Sequence, residues 1–374
     1  MNTMTSLGPR AAAYFVKELM DRGKPFYVFE KFGKSKPLPT NSTKVMSFRR
    51  YFLAGMATWT MGGTGAQDLF NPYEYWSTDS SNEALENQNL LWDVTTTNNG
   101  SNAGRLLGEG VTPQEVDLES EDMTVTIAQY GLWTEITDMI ADCHDDPIML
   151  EAGKILGEAA AFLSEKIYYN ALKAAGNVYY CGGAAVGEVN EAISLDTQRK
   201  VVRGLKRNLG KPITSIVKST PAYGTEPIAA SFICITHTDM EPDIRALPGY
   251  VPCEKYGTVS PMEGEIGKVE NVRYITSTTV QSLGEVGAAI GTTGLEGSAN
   301  VIVYPMIYLA ADAYAVVPLK GKNAFTPMIL PPGVPRGEDP LGQRGSIGIK
   351  FCTACKVLHD YWMCRVYSGC TALV

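Results

Sequence analysis

The chain has 374 residues, of which 45% are hydrophobic and only 19% are charged, and its formal net charge is −8. This length can form two ordinary domains or one large domain with extensions, and the low charged fraction indicates that much of the surface is buried against other molecules. No apolar run approaches the roughly 20 residues that cross a bilayer, which excludes a membrane-spanning helix.

The charged residues are unevenly distributed along the chain. Residues 1–50 contain ten basic and three acidic residues, a net charge of +7. Residues 51–150 contain seventeen acidic residues and one basic residue, a net charge of −16. Two interpretations are open. Either both segments are solvated, or the basic segment of one copy lies across the acidic segment of another, because complementary fields steer association.

The N-terminal residues predict an extended arm. Apolar residues at helical spacing predict a short helix over about residues 11–20, which Gly23 and Pro25 end. Residues 25–47 are basic and interrupted by prolines, so they cannot form a core of their own. The N-terminus lacks the apolar stretch and cleavage site of a signal peptide, which predicts synthesis in a cytoplasm.

Residues 51–105 predict a long projecting insertion with little regular structure. They are rich in Gly, Asn, Ser and Thr and contain Trp59, Trp76 and Trp92. Because aromatic residues are typical of interfaces, we expect this segment to be buried against a partner rather than fully disordered. Partial alternation of apolar residues then predicts strands near residues 123–128 and 130–138.

The clearest element in the sequence is a helix from about Pro147 to Ala175. Acidic residues and a proline suit its start, and Gly176 and Asn177 suit its end. At about 1.5 Å per residue it would be roughly 40 Å long and span a whole domain as a spine. One apolar stripe is expected to face the core; its members are Ile148, Ala152, Ile155, Leu156, Ala159, Phe162, Leu163, Ile167, Ala171 and Ala174.

Short elements follow the spine helix. A second helix is predicted from about Asp196 to Asn208, capped by Ser194 or Asp196. After it, short strands alternate with loops, and we predict strands at residues 213–217, 232–236, 272–276, 301–304, 314–319, 345–351 and 362–366. This pattern predicts an α+β fold in which the strands are mainly antiparallel.

The motif Cys352-x-x-Cys355 is compatible with a metal site or with a half-buried strand. A zinc site needs four ligands, and the nearby candidates His359, Cys364 and Cys370 have no regular spacing. Apolar alternation from Ile347 onward favours the strand, because buried cysteine behaves as a small hydrophobic residue. A cytosolic metal-dependent enzyme using Cys352, Cys355, His359 and Cys364 remains an alternative.

Sequence motifs for catalysis or cofactor binding are absent. The chain contains no Walker A motif, dinucleotide fingerprint, H-E-x-x-H motif or G-x-S-x-G elbow. Residues 143–146, Cys-His-Asp-Asp, resemble a ligand cluster, but the start of the spine helix explains them. The eight cysteines are scattered and predict reduced thiols. We therefore expect a structural protein with no catalytic residue, cofactor or metal.

Seven stretches, taken in order, carry a family resemblance. They are Lys44-x-x-Ser47-Phe48-Arg49-Arg50-Tyr51, Leu107-Gly108-Glu109-Gly110-Val111-Thr112-Pro113, Ile127-Ala128-Gln129-Tyr130-Gly131-x-x-x-Glu135-Ile136-Thr137-Asp138, His144-Asp145-Asp146-Pro147, Tyr223-Gly224-Thr225-x-Pro227-Ile228, Asp339-Pro340-Leu341-Gly342-Gln343-Arg344-Gly345-Ser346-Ile347-Gly348 and Trp362-Met363-x-Arg365. The match to the family runs in order from about residue 10 to 366. The chain resembles the major capsid proteins of the N-four-type family of tailed, double-stranded-DNA bacteriophages, which have the Hong Kong 97-like capsid fold.

The resemblance implies a domain organisation. It places an N-terminal arm at residues 1–33, an extended loop at 34–130, a peripheral domain at 131–210 and 339–374, and an axial domain at 211–338. The family's connection between the stretches near residues 51 and 108 is short, whereas here it forms a long insertion at about 52–105. We expect hexamers and pentamers that build an icosahedral head around the phage genome, so that the protein is located in the virion after synthesis in the bacterial host.

Several partners follow from this resemblance. The chain itself is the main one, and we expect the insertion to contact neighbouring capsomers or a decoration protein, with the portal as a further partner. Contact with packaged double-stranded DNA is expected to be weak and non-specific, through the basic arm. A cellular nanocompartment shell (an encapsulin) is the alternative that shares the fold. The candidate inter-subunit contacts are Lys36, Lys44, Arg49, Arg50, Trp59, Trp76, Trp92, Glu109, Glu119 and Glu121.

Overall fold

The computed structural model describes residues 27–39, 43–53, 118–143, 148–208, 210–214, 230–256, 261–291, 294–319, 326–335, 337 and 339–372. The chain divides into two compact units, one made of Met1–Met46 with Val125–Val374 and the other of Ser47–Thr124. The predicted helix at residues 11–20 lies outside the described residues, as does the insertion apart from its first two residues.

The described part of the chain contains five α-helices and fifteen strands. The helices are α1 (Phe29–Phe32), α2 (Asp138–Cys143), α3 (Ile148–Lys173), α4 (Leu195–Arg207) and α5 (Glu241–Arg245). The strands are β1 (Lys34–Ser35), β2 (Val45–Leu53), β3 (Leu118–Thr126), β4 (Ala128–Thr137), β5 (Val178–Tyr180), β6 (Phe232–Thr236), β7 (Tyr250–Pro252), β8 (Glu265–Val269), β9 (Val272–Thr276), β10 (Val303–Leu309), β11 (Tyr314–Val316), β12 (Thr326–Leu330), β13 (Arg344–Thr353), β14 (Cys355–Val357) and β15 (Met363–Gly369).

The unit formed by Ser47–Thr124 contains most of a two-stranded sheet. Strands β2 and β3 pair with each other in it. Arg49 on β2 and Asp122 on β3 form a bidentate ion pair, with N–O distances of 2.7 and 2.8 Å. This pair holds the pKa of the exposed Asp122 carboxyl below its usual range.

A three-stranded antiparallel sheet packs on the spine helix. Its strand order is β12-β13-β4. Alternate residues of β13 are buried, as the period of two in the sequence predicts. On this inner face, Ile349 and Phe351 pack with Leu156, Ala160 and Leu163 of α3. The opposite face of the sheet is left outside this core.

The largest sheet has seven strands within the described residues, in the order β5-β15-β10-β6-β9-β8-β7. Four neighbouring pairs are antiparallel, while β6 with β9 and β15 with β5 run parallel. All residues of β6 and β10 are buried, so each reads in the sequence as a continuous apolar run. The predicted α+β arrangement with mainly antiparallel strands is therefore confirmed.

The spine helix is confirmed, but its buried face differs from the predicted stripe. Ile155 is 58% exposed, and Ala159 and Ala174 are also exposed. The buried face is instead rotated by about one residue; it consists of Gly153, Gly157, Ala160, Ala161, Ser164, Glu165, Tyr168, Tyr169, Leu172 and Ala175. Helix α3 packs on the three-stranded sheet and on the seven-stranded sheet, and its closest contacts with them need small residues. Several of the larger apolar residues of the predicted stripe therefore lie beside these contacts and are only partly buried.

The second predicted helix is confirmed as α4. The hydroxyl of Ser194 caps it by accepting a hydrogen bond from the Thr197 backbone N–H at 3.2 Å. On its buried side, the Gln198 amide donates to the Val269 carbonyl at 2.8 Å and accepts from the Tyr274 hydroxyl at 2.8 Å. These bonds fix one face of α4 to the seven-stranded sheet and leave the opposite face outward.

The short strands are predicted with mixed accuracy. The strands at 232–236 and 272–276 are confirmed with their predicted bounds. Residues 213 and 214 are not in a strand, because their backbone N–H groups both donate to the Ser231 carbonyl in a loop. The predicted strand at 314–319 ends at Val316.

The predicted domain limits stay a prediction. The seven-stranded sheet combines β5 and β15, from the ranges assigned to the peripheral domain, with strands from the range assigned to the axial domain. The separate compact unit begins at Ser47, whereas the extended loop was predicted from residue 34. Residues 34–38 instead run parallel to 315–319, where Lys36 and Leu38 donate backbone hydrogen bonds to the Val316 and Pro318 carbonyls.

A buried ion pair lies in the hairpin of β8 and β9. The side chain of Glu265 is 0% exposed and that of Arg273 is 3% exposed, and they approach to 3.9 Å. The Arg273 guanidinium also lies 5.7 Å from the centre of the Tyr256 ring. Two opposite charges are thus held in the interior close to each other.

Gly287 is expected to be intolerant of a side chain. A Cβ atom placed there would lie 2.8 Å from the Val301 carbonyl oxygen and 2.9 Å from the Val189 carbonyl oxygen. These backbone atoms cannot move aside cheaply, so Gly287→Ala should lower the free energy of unfolding by about 1–3 kcal/mol. Denaturant titration measures this, and Gly176→Ala, with nothing within 4 Å of its Cβ position, is the control. Equal effects of the two substitutions would contradict the expectation.

Candidate subunit-interaction surface

The outer face of the three-stranded sheet exposes large apolar side chains. The alternation along β4 places Trp133 on this face, where it is 67% exposed. The register aligns Trp133 with Gly348 of β13 and Gly348 with Met328 of β12. Met328 is 53% exposed, and Gly348 places no side chain between the two. We call the exposed apolar residues of this sheet and of the turn between β12 and β13 the outer face; they are Trp133, Met328, Leu330, Val334 and Leu341.

The turn between β12 and β13 extends this surface. Its backbone is closed by a hydrogen bond from the Gly333 N–H to the Gly342 carbonyl at 2.6 Å. Gly342 has a φ of +68°, and its Cβ position would lie 2.9 Å from the Val334 nitrogen, so only glycine fits there. The turn presents Leu341 with 76% of its surface exposed.

Asp339 organises the same turn. Its carboxylate accepts a hydrogen bond from the Arg344 backbone N–H at 2.8 Å. Desolvation raises the pKa of this carboxyl, but hydrogen bonds from the backbone of residues 342–344 outweigh it and hold the pKa below its usual range. Residues 339–344 of the turn are therefore held by hydrogen bonds within the single chain. The stretch that begins Asp339-Pro340-Leu341-Gly342 thus holds Leu341 in an exposed position.

Polar residues border the outer face. Ser346 of β13 aligns with Glu135 of β4, and Arg344 and Lys350 lie on the same side of β13. An apolar centre with a charged border is the usual anatomy of a protein–protein interface. Exposed apolar patches of this kind mark interaction sites. The arrangement can therefore bind another protein surface.

The N-terminal segment is tied to the spine helix by a buried carboxylate. Glu165 is fully buried and accepts hydrogen bonds from the backbone N–H groups of Phe29, at 2.8 Å, and Glu30, at 3.4 Å. The Val28 N–H contributes a further bond, and burial nevertheless raises the pKa of Glu165 to about 7. On the other side, the Tyr314 hydroxyl donates to the Phe29 carbonyl. Val28 and Phe29 are therefore part of the core.

The structure places the predicted contact residues in different situations. Lys36 and Lys44 are exposed, and Arg49 is exposed but paired with Asp122 of its own chain. Arg50 lies in β2, and Glu119 and Glu121 lie in β3. Trp59, Trp76, Trp92 and Glu109 lie outside the described residues. The structure brings none of the described members of this set into the outer face, and their contacts with other subunits stay predictions.

The two cysteines of the Cys352-x-x-Cys355 motif lie in separate sheets. Cys352 belongs to β13, the chain turns at the buried Ala354, and Cys355 begins β14 in a sheet with β11 and β1. Burial raises the pKa of the Cys355 thiol to about 12, which leaves it protonated and unreactive. Across the described ranges, no three His, Cys, Asp or Glu residues are grouped as metal ligands. The alternation of buried and outward residues that begins near Ile347 ends at Thr353, where β13 ends.

Comparison with known proteins decides the family. Residues 120–351, more than half of the chain, match the family described as "Phage capsid protein". The chain belongs to the phage capsid protein family. The predicted resemblance to phage major capsid proteins is thereby confirmed, and the capsid protein is a structural component of the virion. No curated protein matches its sequence.

Solved capsid structures share the fold of the capsid protein. The capsid of Ralstonia phage GP4 is 12% identical and superposes with a TM-score of 0.58, covering 92% of this chain and 88% of that one. The capsid of cyanophage P-SCSP1u is 11% identical, with a TM-score of 0.50, and covers 91% of this chain and 88% of that one. These similarities confirm the Hong Kong 97-like fold. Among the described helices of the capsid protein, none has the length and apolar composition to cross a membrane.

Proposed function

We propose that the capsid protein assembles with itself into hexamers and pentamers, and that these build an icosahedral head around the phage's double-stranded DNA. The observation that carries the proposal is the outer face, on which Trp133, Met328 and Leu341 remain exposed in a chain of a capsid family. The family match favours this genome-containing shell over a cellular nanocompartment.

The outer face is suited to contact between copies of the chain. Interfaces of permanent assemblies bury roughly 2,000–5,000 Å² and have apolar centres. Because the Asp339 turn is ordered before association, little conformational entropy is lost when Leu341 enters an interface. Ile155 on α3 offers a second exposed apolar contact. Repetition of such contacts around a closed shell makes the assembly stable although each contact is small.

The same proposal assigns roles to the remaining segments of the chain. The unit Ser47–Thr124 is the extended loop, and its long insertion contacts neighbouring capsomers or a decoration protein. Residues before the anchored segment form the arm, and its basic charge complements the acidic residues of 51–150 in another copy. The portal is a further partner at one vertex.

A substitution on the outer face tests the proposal. Trp133→Asp places a charge at the centre of the interface, where hot-spot residues contribute at least about 2 kcal/mol each. We expect particles to be lost under conditions in which the unaltered protein forms closed shells, as seen by sedimentation and negative-stain electron microscopy. Because Trp133 is largely exposed in the single chain, the free energy of unfolding should change by no more than about 0.5 kcal/mol.

Val286→Asp is the matched control for this experiment. Val286 is also an exposed apolar residue, 43% accessible, but it lies in the loop before β10. It should leave assembly unchanged. Normal particles from the Trp133 variant would contradict the assignment of the outer face, and a protein that forms no closed particle under any condition would contradict the proposed function itself.

A further inference from the structure

Helix α4 is strongly basic, although the chain as a whole is acidic. Its thirteen residues include five basic residues and one acidic residue, Asp196. The basic residues are Arg199, Lys200, Arg203, Lys206 and Arg207. They span about 12 Å of helix at 1.5 Å per residue. The positive charge is thus concentrated on one short, well-anchored element.

The cations of α4 lie on its outward face. Arg199, Lys200, Arg203 and Lys206 are exposed, whereas Gln198 and the apolar residues between them are buried in the fold. Arg199, Arg203 and Lys206 follow the spacing i, i+4, i+7, which places them in one row. They line an open groove of about 440 Å³ whose far side is formed by Glu270 and Asn271.

Only part of this charge is neutralised within the chain. Arg199 pairs with Glu270, its Nη2 atom lying 2.5 Å from the carboxylate, and Lys200 pairs with Asp196 at 2.9 Å. Within the part of the chain that the structure describes, Arg203 and Lys206 have no carboxylate within ion-pair distance. The row therefore retains a net positive charge directed at solvent.

The chemistry of this surface favours a polyanion over a protein partner. None of the large exposed apolar side chains among the described residues lies on α4, and a stable protein interface needs an apolar centre. Surfaces that bind nucleic acid are polar and strongly positive instead. A duplex carries about seven phosphate charges along 12 Å of its axis, enough to engage every cation of the row.

We propose that the outward face of α4 is a binding site for the phosphate backbone of duplex DNA. Arg199, Arg203 and Lys206 are its central residues, and the contact is independent of base sequence. The inference rests on the proposed function, since a shell around a genome supplies the DNA, and it moves the main DNA contact from the N-terminal arm to α4. It also implies that α4 faces the interior of the head.

The test uses the full-length chain and a labelled duplex of about 20 base pairs, with affinity followed by fluorescence anisotropy between about 50 and 200 mM salt. The variant is Arg199→Gln/Arg203→Gln/Lys206→Gln. Because each phosphate contact contributes about 0.9 to the slope of log affinity against log salt, the slope should fall by about 2.7. Affinity at the low-salt end should weaken about tenfold or more.

The control removes the same amount of charge elsewhere. Lys166→Gln/Lys173→Gln/Lys356→Gln neutralises three exposed lysines on α3 and β14 and should change affinity less than about twofold. The variant Arg199→Lys/Arg203→Lys should retain most of the affinity, because the charges remain. Circular dichroism of each variant checks the fold. Equal losses in the two triple variants would overturn the proposal, because net charge alone would then explain them.

Electron microscopy of the same samples separates this inference from the proposed function. Unassembled subunits without salt-dependent DNA affinity, from a preparation that forms closed particles under assembly conditions, would overturn the α4 site and leave the shell assignment intact. Absence of closed particles would overturn the shell assignment, whatever the DNA affinity. If the α4 triple variant binds DNA normally but fails to assemble, the cations of α4 contact another subunit and the DNA-site proposal is wrong.

Discussion

Replacing Glu165 with leucine is expected to lower the free energy of unfolding by about 3–5 kcal/mol. The carboxylate accepts hydrogen bonds from the backbone N–H groups of Val28, Phe29 and Glu30 in the core. Leucine accepts none, and each buried donor left without a partner costs about 1–3 kcal/mol. The loss should release residues 27–33 before the rest of the chain unfolds. Hydrogen exchange measures that release, and chemical denaturation measures the overall loss.

Glu165→Gln separates the hydrogen bonds from the charge. Burial raises the pKa of Glu165 from its usual range to about 7. Since the folded chain then holds this proton more tightly than the unfolded chain, the contribution of Glu165 to stability is greatest at acidic pH and is lost as pH rises through about 7. The full decrease amounts to about 3 kcal/mol. The neighbouring Glu30, whose pKa burial also raises, contributes in the same direction.

Glutamine still accepts hydrogen bonds but does not titrate, so its stability should vary much less with pH. Denaturant titrations at several values between about pH 5 and 8 test this. Parallel pH profiles for the unaltered protein and the glutamine variant would show that Glu165 is not the titrating group.

The second large effect is expected at the buried ion pair of β8 and β9. Arg273→Met should destabilise the fold by about 3–5 kcal/mol, because it leaves the fully buried Glu265 carboxylate without its counter-charge. The double variant Arg273→Met/Glu265→Met removes both charges. It should be more stable than the single Arg273 variant, since an apolar pair of similar volume often replaces a buried ion pair at little cost.

Thermal or chemical denaturation of the single and double variants gives the coupling between the two residues. A double variant whose loss equals the sum of the two single losses would contradict direct pairing. The control is Lys268→Met on β8. Lys268 aligns with Arg273 but is only partly buried, so this substitution should change the free energy of unfolding little.

Elements with strong local signals could be predicted from the sequence. The spine helix and α4 have periodic apolar residues, recognisable starts and glycine shortly beyond their ends, and their bounds are within about two residues of those observed. Strands β6 and β9, which are rich in β-branched and aromatic residues, were predicted with their observed bounds. The error at residues 213–214 arose because an apolar residue in a loop held by Ser231 resembles the start of a strand.

The buried face of the spine helix could not be predicted from apolar spacing. The sequence places larger residues such as Ile155 and Phe162 at helical spacing, but two sheets approach α3 along a row of small residues and tyrosines. Close approach favours glycine, alanine and serine, which carry little hydrophobic signal. The burial of Glu165 could not be predicted either, because the backbone N–H groups that bind this charged residue come from a distant segment of the chain.

The outer face was only partly visible in the sequence. Alternation predicted a strand near 130–138, yet it could not show which side of that strand the spine helix covers. Once α3 packs on Leu132, Trp133 must point away from the core. The pairing of Trp133 with Gly348 and Met328 depends on strand register across about 200 residues, which no local pattern encodes. The capsid family, by contrast, was recognisable from short ordered motifs.

The parallel run of residues 34–38 beside 315–319 has a consequence for solubility. A strand at the border of a sheet offers unpaired backbone donors and acceptors that can recruit strands from other molecules. Lys34, Ser35 and the residues after them occupy that border of β11, and two exposed lysines stand on the outer side. The resulting edge strand β1 is only two residues long and lies beside exposed lysines, so it is a poor template for fibril-like pairing with other chains.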